Sequence, residues 1–379
     1  MEKTRVLIIG GGILGATTSY YLAKQGYAVT VLEKNELASG ASGANLGQIS
    51  IIDRDEPWHL KLALESLTIY ENLNRETPIA YKQSGGTVVL INEEQVEAAK
   101  LMAAYLAAYG IEISFYQGKD MLRIEPFLDY TKVQSLAYCA LEGKIDPLAA
   151  TLTFFSKAKE LGVEIFTNTC VDSFEVENGK ITKAIAKEKE YFADIFINAT
   201  GAWAGGIGEL LCLKIPICYH RGTAFVSQPI ASVINGPVVG GGFILKSRLA
   251  SEKLRIGLAA VQNTNGSIII AQATEESEVD SKEITAQGLT LTAEKFITYF
   301  PALAELEIVR AWSAVTPYTK DGLPIFGFTK SIQNFFVVAG FKGAFSTAPA
   351  VGKAVARAIK TGIAYENNSF SPDREMLES

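Results

Sequence analysis

Three glycines, Gly10, Gly12 and Gly15, stand at the spacing G-x-G-x-x-G, with Ile13 and Leu14 before the last, and the acidic Glu33 follows about 20 residues on. The residues around them supply a context. Arg5 to Ile9 is a short apolar run suited to a buried strand, Ala16 to Gln25 has helical spacing and is closed by Gly26, and Ala28 to Glu33 is a second strand. In such a βαβ unit Gly10 permits a tight turn and Gly15 lets helix and strand pack closely. Gly12 lets backbone N–H groups approach a pyrophosphate at the helix N-terminus. Glu33, with Lys34 beside it, is placed to accept hydrogen bonds from a ribose. The plainer alternative, a glycine turn that merely joins strand to helix, leaves the acidic residue at that spacing without a purpose. Nicotinamide and flavin dinucleotides share this fingerprint, so the choice rests on later segments.

Three segments bear on that choice. The loop Leu37 to Gln48 is rich in small and polar residues, and Ser39, Gly40, Ala41, Ser42, Asn45 and Gly47 are candidates to line a phosphate or a ring edge. A mobile surface loop is its bland reading. Ile197 to Trp203 carries a strand into glycine, so Ala199, Thr200, Gly201 and Trp203 fall at the carboxyl end of a sheet, where open α/β folds bind ligands. Gly340, Phe341, Lys342 and Gly343 form a last glycine turn before a helix expected near Pro349. The dipole of that helix would stabilise negative charge gathering on a reduced isoalloxazine ring. Val171, in a strand ahead of the second segment, joins the cofactor set.

These residues need a scaffold, and the chain has material for one. Its 379 residues suit two interleaved domains, and 33 glycines against 12 prolines, with runs such as VLIIGGG and FFVVAG, suggest parallel strands entering tight turns. Helices are expected over Pro57 to Leu73, Glu93 to about Tyr109, Asp146 to Leu161 and Ala293 to Phe300. Cys170 to Val176 and Ile181 to Ala186, joined by Asn178-Gly179, predict a hairpin with a type I′ turn. From Ile215 to Thr316 the texture becomes short β-rich stretches, as in a largely antiparallel sheet.

A net charge of −6 without clustered Lys and Arg argues against a nucleic-acid or anionic-membrane surface. No run of 18 apolar residues is present, so a spanning helix is not expected and a cytoplasmic protein is the default, with peripheral membrane attachment through a partner left open. Cys139, Cys170, Cys212 and Cys218 lack the spacing of a disulfide framework or an iron–sulfur cluster. His59 and His220 are the only histidines, so no metal site is expected.

The early fingerprint, Ser39-Gly-Ala-Ser42, Asn198-Ala-Thr-Gly-Ala-Trp203, Asp321-Gly-Leu-Pro324 and the last glycine turn recur in this order in the D-amino-acid-oxidase-like flavoproteins, which include glycine and sarcosine oxidases. The chain resembles that family over nearly its whole length. Ala260-Val-Gln262 and Asn265-Gly-Ser-Ile268 look most like the FAD subunits of heteromeric dehydrogenases acting on proline, hydroxyproline or opines. The resemblance implies an α/β fold in which a Rossmann-like FAD-binding domain (1–80, 146–214 and 318–379) interleaves with an α+β substrate domain built on a mainly antiparallel sheet (81–145 and 215–317). It also implies oxidation of a substrate C–N bond by hydride transfer to flavin N5, giving an imine, with electrons passing to a companion subunit. A solitary oxidase using oxygen, an NAD-linked dehydrogenase and a noncatalytic flavoprotein subunit are the alternatives.

The carry-over has gaps. The family arginine that pairs with a substrate carboxylate falls at Thr316; Ala311 to Pro324 holds no cysteine and Ala44 stands where some relatives attach flavin through histidine, so FAD is expected to be noncovalent. An enclosed carboxylate still needs a cation. Arg54, Arg221, Arg248 and Lys342 are the candidates, Arg54 and Lys342 favoured because they flank the expected flavin segments. His220 is a candidate to orient the amine, and Trp312 and Tyr318 to wall the pocket.

Overall fold

In a computed structural model that describes residues 3–245, 254–363 and 365–375, the chain forms the expected mixed α/β architecture. Arg248 lies outside the described residues. The first sheet holds six strands: β1 (Arg5–Ile9), β2 (Ala28–Leu32), β8 (Glu164–Phe166), β12 (Ile195–Asn198), β18 (Ile325–Phe328) and β19 (Phe335–Ala339). Their order is β18-β19-β12-β1-β2-β8, parallel except for the antiparallel edge strand β18.

Alternation along β1 divides its side chains between two cores. Val6 and Ile8 pack against the helices α1 (Ile13–Lys24), α2 (Pro57–Glu76), α4 (Pro147–Glu160) and α7 (Ala344–Thr361). Leu7 and Ile9 face a three-stranded sheet of β9 (Ser173–Glu177), β10 (Lys180–Ala186) and β11 (Lys189–Phe192), together with the short α5 (Ala204–Glu209). Asn178 and Gly179 both have positive φ, 52° and 73°, so the predicted I′ hairpin forms.

The second sheet has eight strands in the order β17-β13-β16-β15-β14-β4-β6-β5, antiparallel throughout apart from the β14–β4 pair. They are β4 (Gly86–Leu90), β5 (Ile113–Tyr116), β6 (Ser135–Cys139), β13 (Cys218–Ser227), β14 (Val238–Gly240), β15 (Leu254–Gln262), β16 (Ile268–Glu276) and β17 (Ile308–Tyr318). Helices α3 (Glu93–Ala107) and α6 (Ala286–Tyr299) cover it, and a two-residue ribbon of β3 (Gln48–Ile49) and β7 (Gly143–Lys144) ties the two parts together. Among the described residues no helix is long and apolar enough to cross a membrane.

Two helices start earlier than their apolar spacing predicts. Thr285 caps α6 by accepting from the Gly288 N–H, which moves its start to Ala286. Helix α7 opens at Ala344 and carries Pro349 inside it. Proline removes the N–H that would bond the Phe345 carbonyl, and the Tyr70 hydroxyl donates to that carbonyl instead at 2.8 Å. A residue on α2 thus repairs the defect.

Candidate active site

Parallel strands β1, β12 and β19 end side by side, and helices α1 and α7 open at that edge. Gly10, with φ of 115°, makes the turn; a side chain there would strike the Ala199 backbone, and one at Gly15 would land on the Gly10 carbonyl oxygen. Neither helix has a side-chain cap at its N-cap residue or an acidic residue in its first turn, so both present unneutralised positive dipole ends to the same edge. Two anion-receptive helix ends beside glycines that exclude side chains fit a bound dinucleotide.

Around α1 the loop after β2 folds back. Ala38 N–H donates to the Gly11 carbonyl, Gly43 N–H donates to the Ala38 carbonyl, and Ser42 Oγ accepts from Ile13 N–H at 3.0 Å. The small residues are therefore a built wall of the turn rather than a surface loop. Glu33 accepts from the N–H groups of Gly11 and Asn35, at 2.6 and 2.8 Å, and a carboxylate retains further lone pairs for a ribose. Thr200 donates to Asn198, whose amide ties back to the Ala204 carbonyl, fixing the Ala199–Gly201 turn. Val171 is buried in the core beneath β1 and β2.

Some expected contacts have structural duties instead. Asn45 Oδ1 accepts from Gly47 N–H, and the Gly47 α-carbon presses against the Ile145 carbonyl, so both residues shape the loop itself. Trp203 approaches Gly40, lies under the Lys34 ammonium at 3.8 Å and donates to Asp280 at 2.6 Å. Lys34 and Trp203 thereby pin the loop to the residues after β16.

At the α7 end the structure corrects the reading of Arg54. Its guanidinium is 1% exposed and fully engaged: with Asp53 at 3.3 Å, the Ser50 carbonyl at 3.1 Å, His59 Nε2 at 2.6 Å, Ser346 Oγ at 3.1 Å and the Lys342 carbonyl at 3.4 Å. It clamps the 50–54 loop and α2 to the first turn of α7 and presents no donor outward. His59 Nε2 accepts from Arg54, so its ring proton sits on Nδ1. Lys342 is exposed beside this clamp. Phe341 is buried against the α1–α7 core, and Gly343, in the left-handed region at φ 59°, has no room for a side chain against Arg54.

Glu142 holds the same loop from the other side, accepting from the N–H groups of Ile51 and Ile52, both at 2.7 Å, and from Ser50. Burial pushes its carboxyl up to about 7, whereas burial and then Arg54 push His59 down to about 3. A carboxyl that takes its proton more readily when folded adds stability in acid and loses it as pH rises from 4.5 through about 7. An imidazole that refuses its proton when folded adds stability in base and loses it as pH falls below 6.5. Between those limits the two slopes oppose one another, each at most about 1.4 kcal/mol per pH unit. Glu142→Gln removes one of them. Urea unfolding from pH 6.5 to 4.5 is expected to show the variant losing stability with acid more steeply than the parent, by up to about 1 kcal/mol per unit; parallel curves would mean that Glu142 does not titrate in the folded chain.

The eight-stranded sheet closes the site. On β17 and β13, Tyr318 opposes Cys218, Thr316 opposes His220 and Trp312 opposes Ala224, placing these side chains on one face. That face looks toward the nucleotide loop: Trp312 donates to the Ala44 carbonyl at 3.0 Å, and Leu46 and Trp312 both pack against the cluster of Ala224, Ile269 and Ala271. His220 lies edge-on to Tyr318, and its Nδ1 is 3.3 Å from Arg255 on β15. Burial, then Arg255, hold His220 below its usual range, so it is neutral. Arg221 points the other way and is consumed by Glu275 at 2.9 Å, Glu283 at 3.1 Å and Ser281 at 2.7 Å. It is no carboxylate ligand.

Sequence reasoning passed over Asp53, His59, Glu142 and Arg255. Asp53 adjoins a residue it did select, but Glu142 in a turn and Arg255 in a strand carry no local signal.

The family model for FAD dependent oxidoreductases (DAO) matches residues 5–358. The L-proline dehydrogenase of P.horikoshii superposes with a TM-score of 0.89 over 98% of this chain and 97% of its own, at 28% identity. Sarcosine oxidase subunit beta of Rhizobium meliloti (strain 1021) is 26% identical, covering 94% of this chain and 84% of the relative. The mitochondrial pyruvate dehydrogenase phosphatase regulatory subunit of Mus musculus is 24% identical over 96% of this chain, which spans 42% of that protein; the mitochondrial sarcosine and dimethylglycine dehydrogenases are likewise spanned over about two fifths of their length. The family match runs through both sheets and both glycine-started helix ends, and this chain belongs to the FAD dependent oxidoreductases.

Proposed function

We propose that this chain is a cytoplasmic amino-acid or secondary-amine dehydrogenase that binds FAD noncovalently, oxidises the substrate C–N bond to an imine and passes electrons to a companion subunit. The observation that carries this reading is the facing of two helix N-termini, each with glycine at its N-cap and no acidic residue in its first turn, by a sheet surface bearing an arginine, a neutral histidine and a tyrosine. Segments 1–80, 146–214 and 318–379 form the FAD-binding part, and 81–145 with 215–317 the substrate part.

When bound, FAD supplies the two-electron acceptor. Gly10, Gly12, Ile13, Leu14, Gly15 and Ser42 receive the pyrophosphate, Glu33 the ribose, and Val171 with Ala199 to Gly201 the flanking groups. The Gly340–Gly343 turn and the α7 dipole stabilise negative charge on the ring side, with Lys342 adding a cation at that end. Neutral His220 and Tyr318 line the substrate side, where enclosure by Trp312 and the loop excludes water. Holding the reacting C–H bond in place is the chain's main contribution, so no acid–base pair is needed. The similarities to proline dehydrogenase and to a sarcosine oxidase subunit support both the substrate class and the partner. A flavoprotein subunit without amine turnover is the second reading, favoured by the likeness to a regulatory subunit.

The test is the visible spectrum of purified protein, followed without oxygen as glycine, sarcosine, L- and D-proline, hydroxyproline and an opine are added in turn. Bands near about 370 and 450 nm that bleach with one of them are expected. A coloured protein that none of them bleaches supports the subunit reading, and a chain that cannot be reconstituted with FAD overturns both.

A further inference from the structure

Arg221 is buried and takes no part in the chemistry above. Its guanidinium holds Glu275 at 2.9 Å, Ser281 at 2.7 Å and Glu283 at 3.1 Å, which fixes the segment between β16 and α6 to the eight-stranded sheet. Asp280, beside Ser281 on that segment, reaches across to the dinucleotide-binding part. Its Oδ1 accepts from Trp203 Nε1 at 2.6 Å and lies 3.4 Å from the Lys34 ammonium, which itself sits 3.8 Å from the centre of the Trp203 ring. The same ring covers Gly40, where a side chain would come within 3.3 Å of it. Gly40 belongs to the loop that is bonded to the dinucleotide turn, by Ala38 N–H donating to the Gly11 carbonyl and Ile13 N–H donating to Ser42 Oγ.

We propose that Arg221, Ser281, Asp280 and Trp203 form a strap that holds the Gly40 loop shut over the FAD site, with Asp280 as its positioning residue. The strap governs the exchange of FAD and does not touch the cofactor. For FAD to reach or leave the Gly10–Gly15 turn the loop must lift, and lifting it breaks the Trp203–Asp280 hydrogen bond and draws Lys34 away from both partners. A carboxylate acceptor strengthens that hydrogen bond, whereas the 72% exposure of Asp280 keeps its ion pair with Lys34 weak. The barrier added is therefore modest. Because FAD is not a party to the contact, its loss speeds opening in both directions and leaves affinity nearly unchanged. The strap rests on FAD binding at the turn and not on oxidation of an amine, so a flavin that no amine bleaches leaves it standing.

The experiment measures two rates. Apoprotein is mixed rapidly with FAD to follow entry by quenching of flavin fluorescence, and FAD-loaded protein is diluted to follow release by its recovery. Asp280→Ala, Asp280→Asn, Trp203→Phe and the D280A/W203F double variant are compared with the parent; the exposure of Asp280 means that truncating it opens no cavity. D280A and W203F are each expected to raise both rates about three- to tenfold, moving Kd by less than about threefold. D280N, whose amide oxygen still accepts from Trp203, is intermediate. The double variant does no more than either single one, because both break the same contact. Faster release with unchanged entry would make the contact a stabiliser of bound FAD and no strap, and rates equal to the parent's would leave it without a role; either result overturns the proposal.

Discussion

Gly15→Val is expected to purify without flavin. A branched side chain at this position meets the Gly10 carbonyl oxygen, which is backbone and cannot turn aside. Either α1 moves away from the turn or the turn opens. Helix α1 is wedged between α4 and α7, with Gly352 of α7 packed directly on Thr17, so its displacement disturbs that contact as well. Overpacking costs about 1–3 kcal/mol, with a clash against fixed backbone at the upper end, and every 1.4 kcal/mol is about a tenfold change in affinity. FAD binding is therefore expected to weaken on the order of 100-fold, measured from the ratio of flavin to protein absorbance and by titrating the apoprotein with FAD. A flavin-replete G15V protein would remove the α1 turn from the binding site.

Arg54→Met is expected to be the most damaging single change in the clamp. It removes the guanidinium that meets Asp53, Ser50, His59, Ser346 and Lys342, and leaves the largely buried Asp53 carboxylate without its main counter-ion. Breaking a buried pair from one side costs about 3–5 kcal/mol. In the parent, burial alone would raise the Asp53 carboxyl, but Arg54, Lys342, Ser50 and His59 outweigh it and hold the carboxyl low. That contribution is present above 3.8 and is lost only as pH falls through the lower folded value. Without Arg54 burial dominates, and the carboxyl climbs. The stability gap between parent and R54M is expected to be widest near neutral pH and to narrow toward pH 4, as thermal unfolding across that range would show. Arg54→Lys should rescue little, because one ammonium cannot meet acceptors spread around a planar fork. A gap independent of pH would mean that packing, and not the carboxylate, is what Arg54 provides.

Much of this protein is local and is written along the chain. The βαβ unit at Arg5–Leu32 follows from an apolar run, glycines at fixed spacing and Glu33, because turn sterics and helix periodicity act over a few residues. The Asn178-Gly179 hairpin, the Asp146 cap of α4 and the change of texture after Ile215 are legible for the same reason. The early start of α7 was not, since Pro349 is tolerated only because Tyr70, far away in sequence, satisfies the freed carbonyl.

The arginines show where local information ends. Arg54 lies between two aspartates, Arg221 between His220 and Gly222 and Arg255 between Leu254 and Ile256, and none of these neighbours says which distant groups each arginine meets. Pairing of β13 with β16 and β17 turns Arg221 toward Glu275 on β16 and Glu283 ahead of α6, and the register of β15 places Arg255 on the opposite face beside His220. A shift of one residue in either register would exchange those faces, because side chains alternate along a strand. Arg54 is internal because Glu142, Ser346 and His59 converge on its loop from three separate elements. The dinucleotide-binding turn was legible along the chain, where backbone geometry is dictated by neighbours; which arginines are buried in ion pairs was settled by the tertiary fold, because strand register and burial arise only from contacts between distant segments.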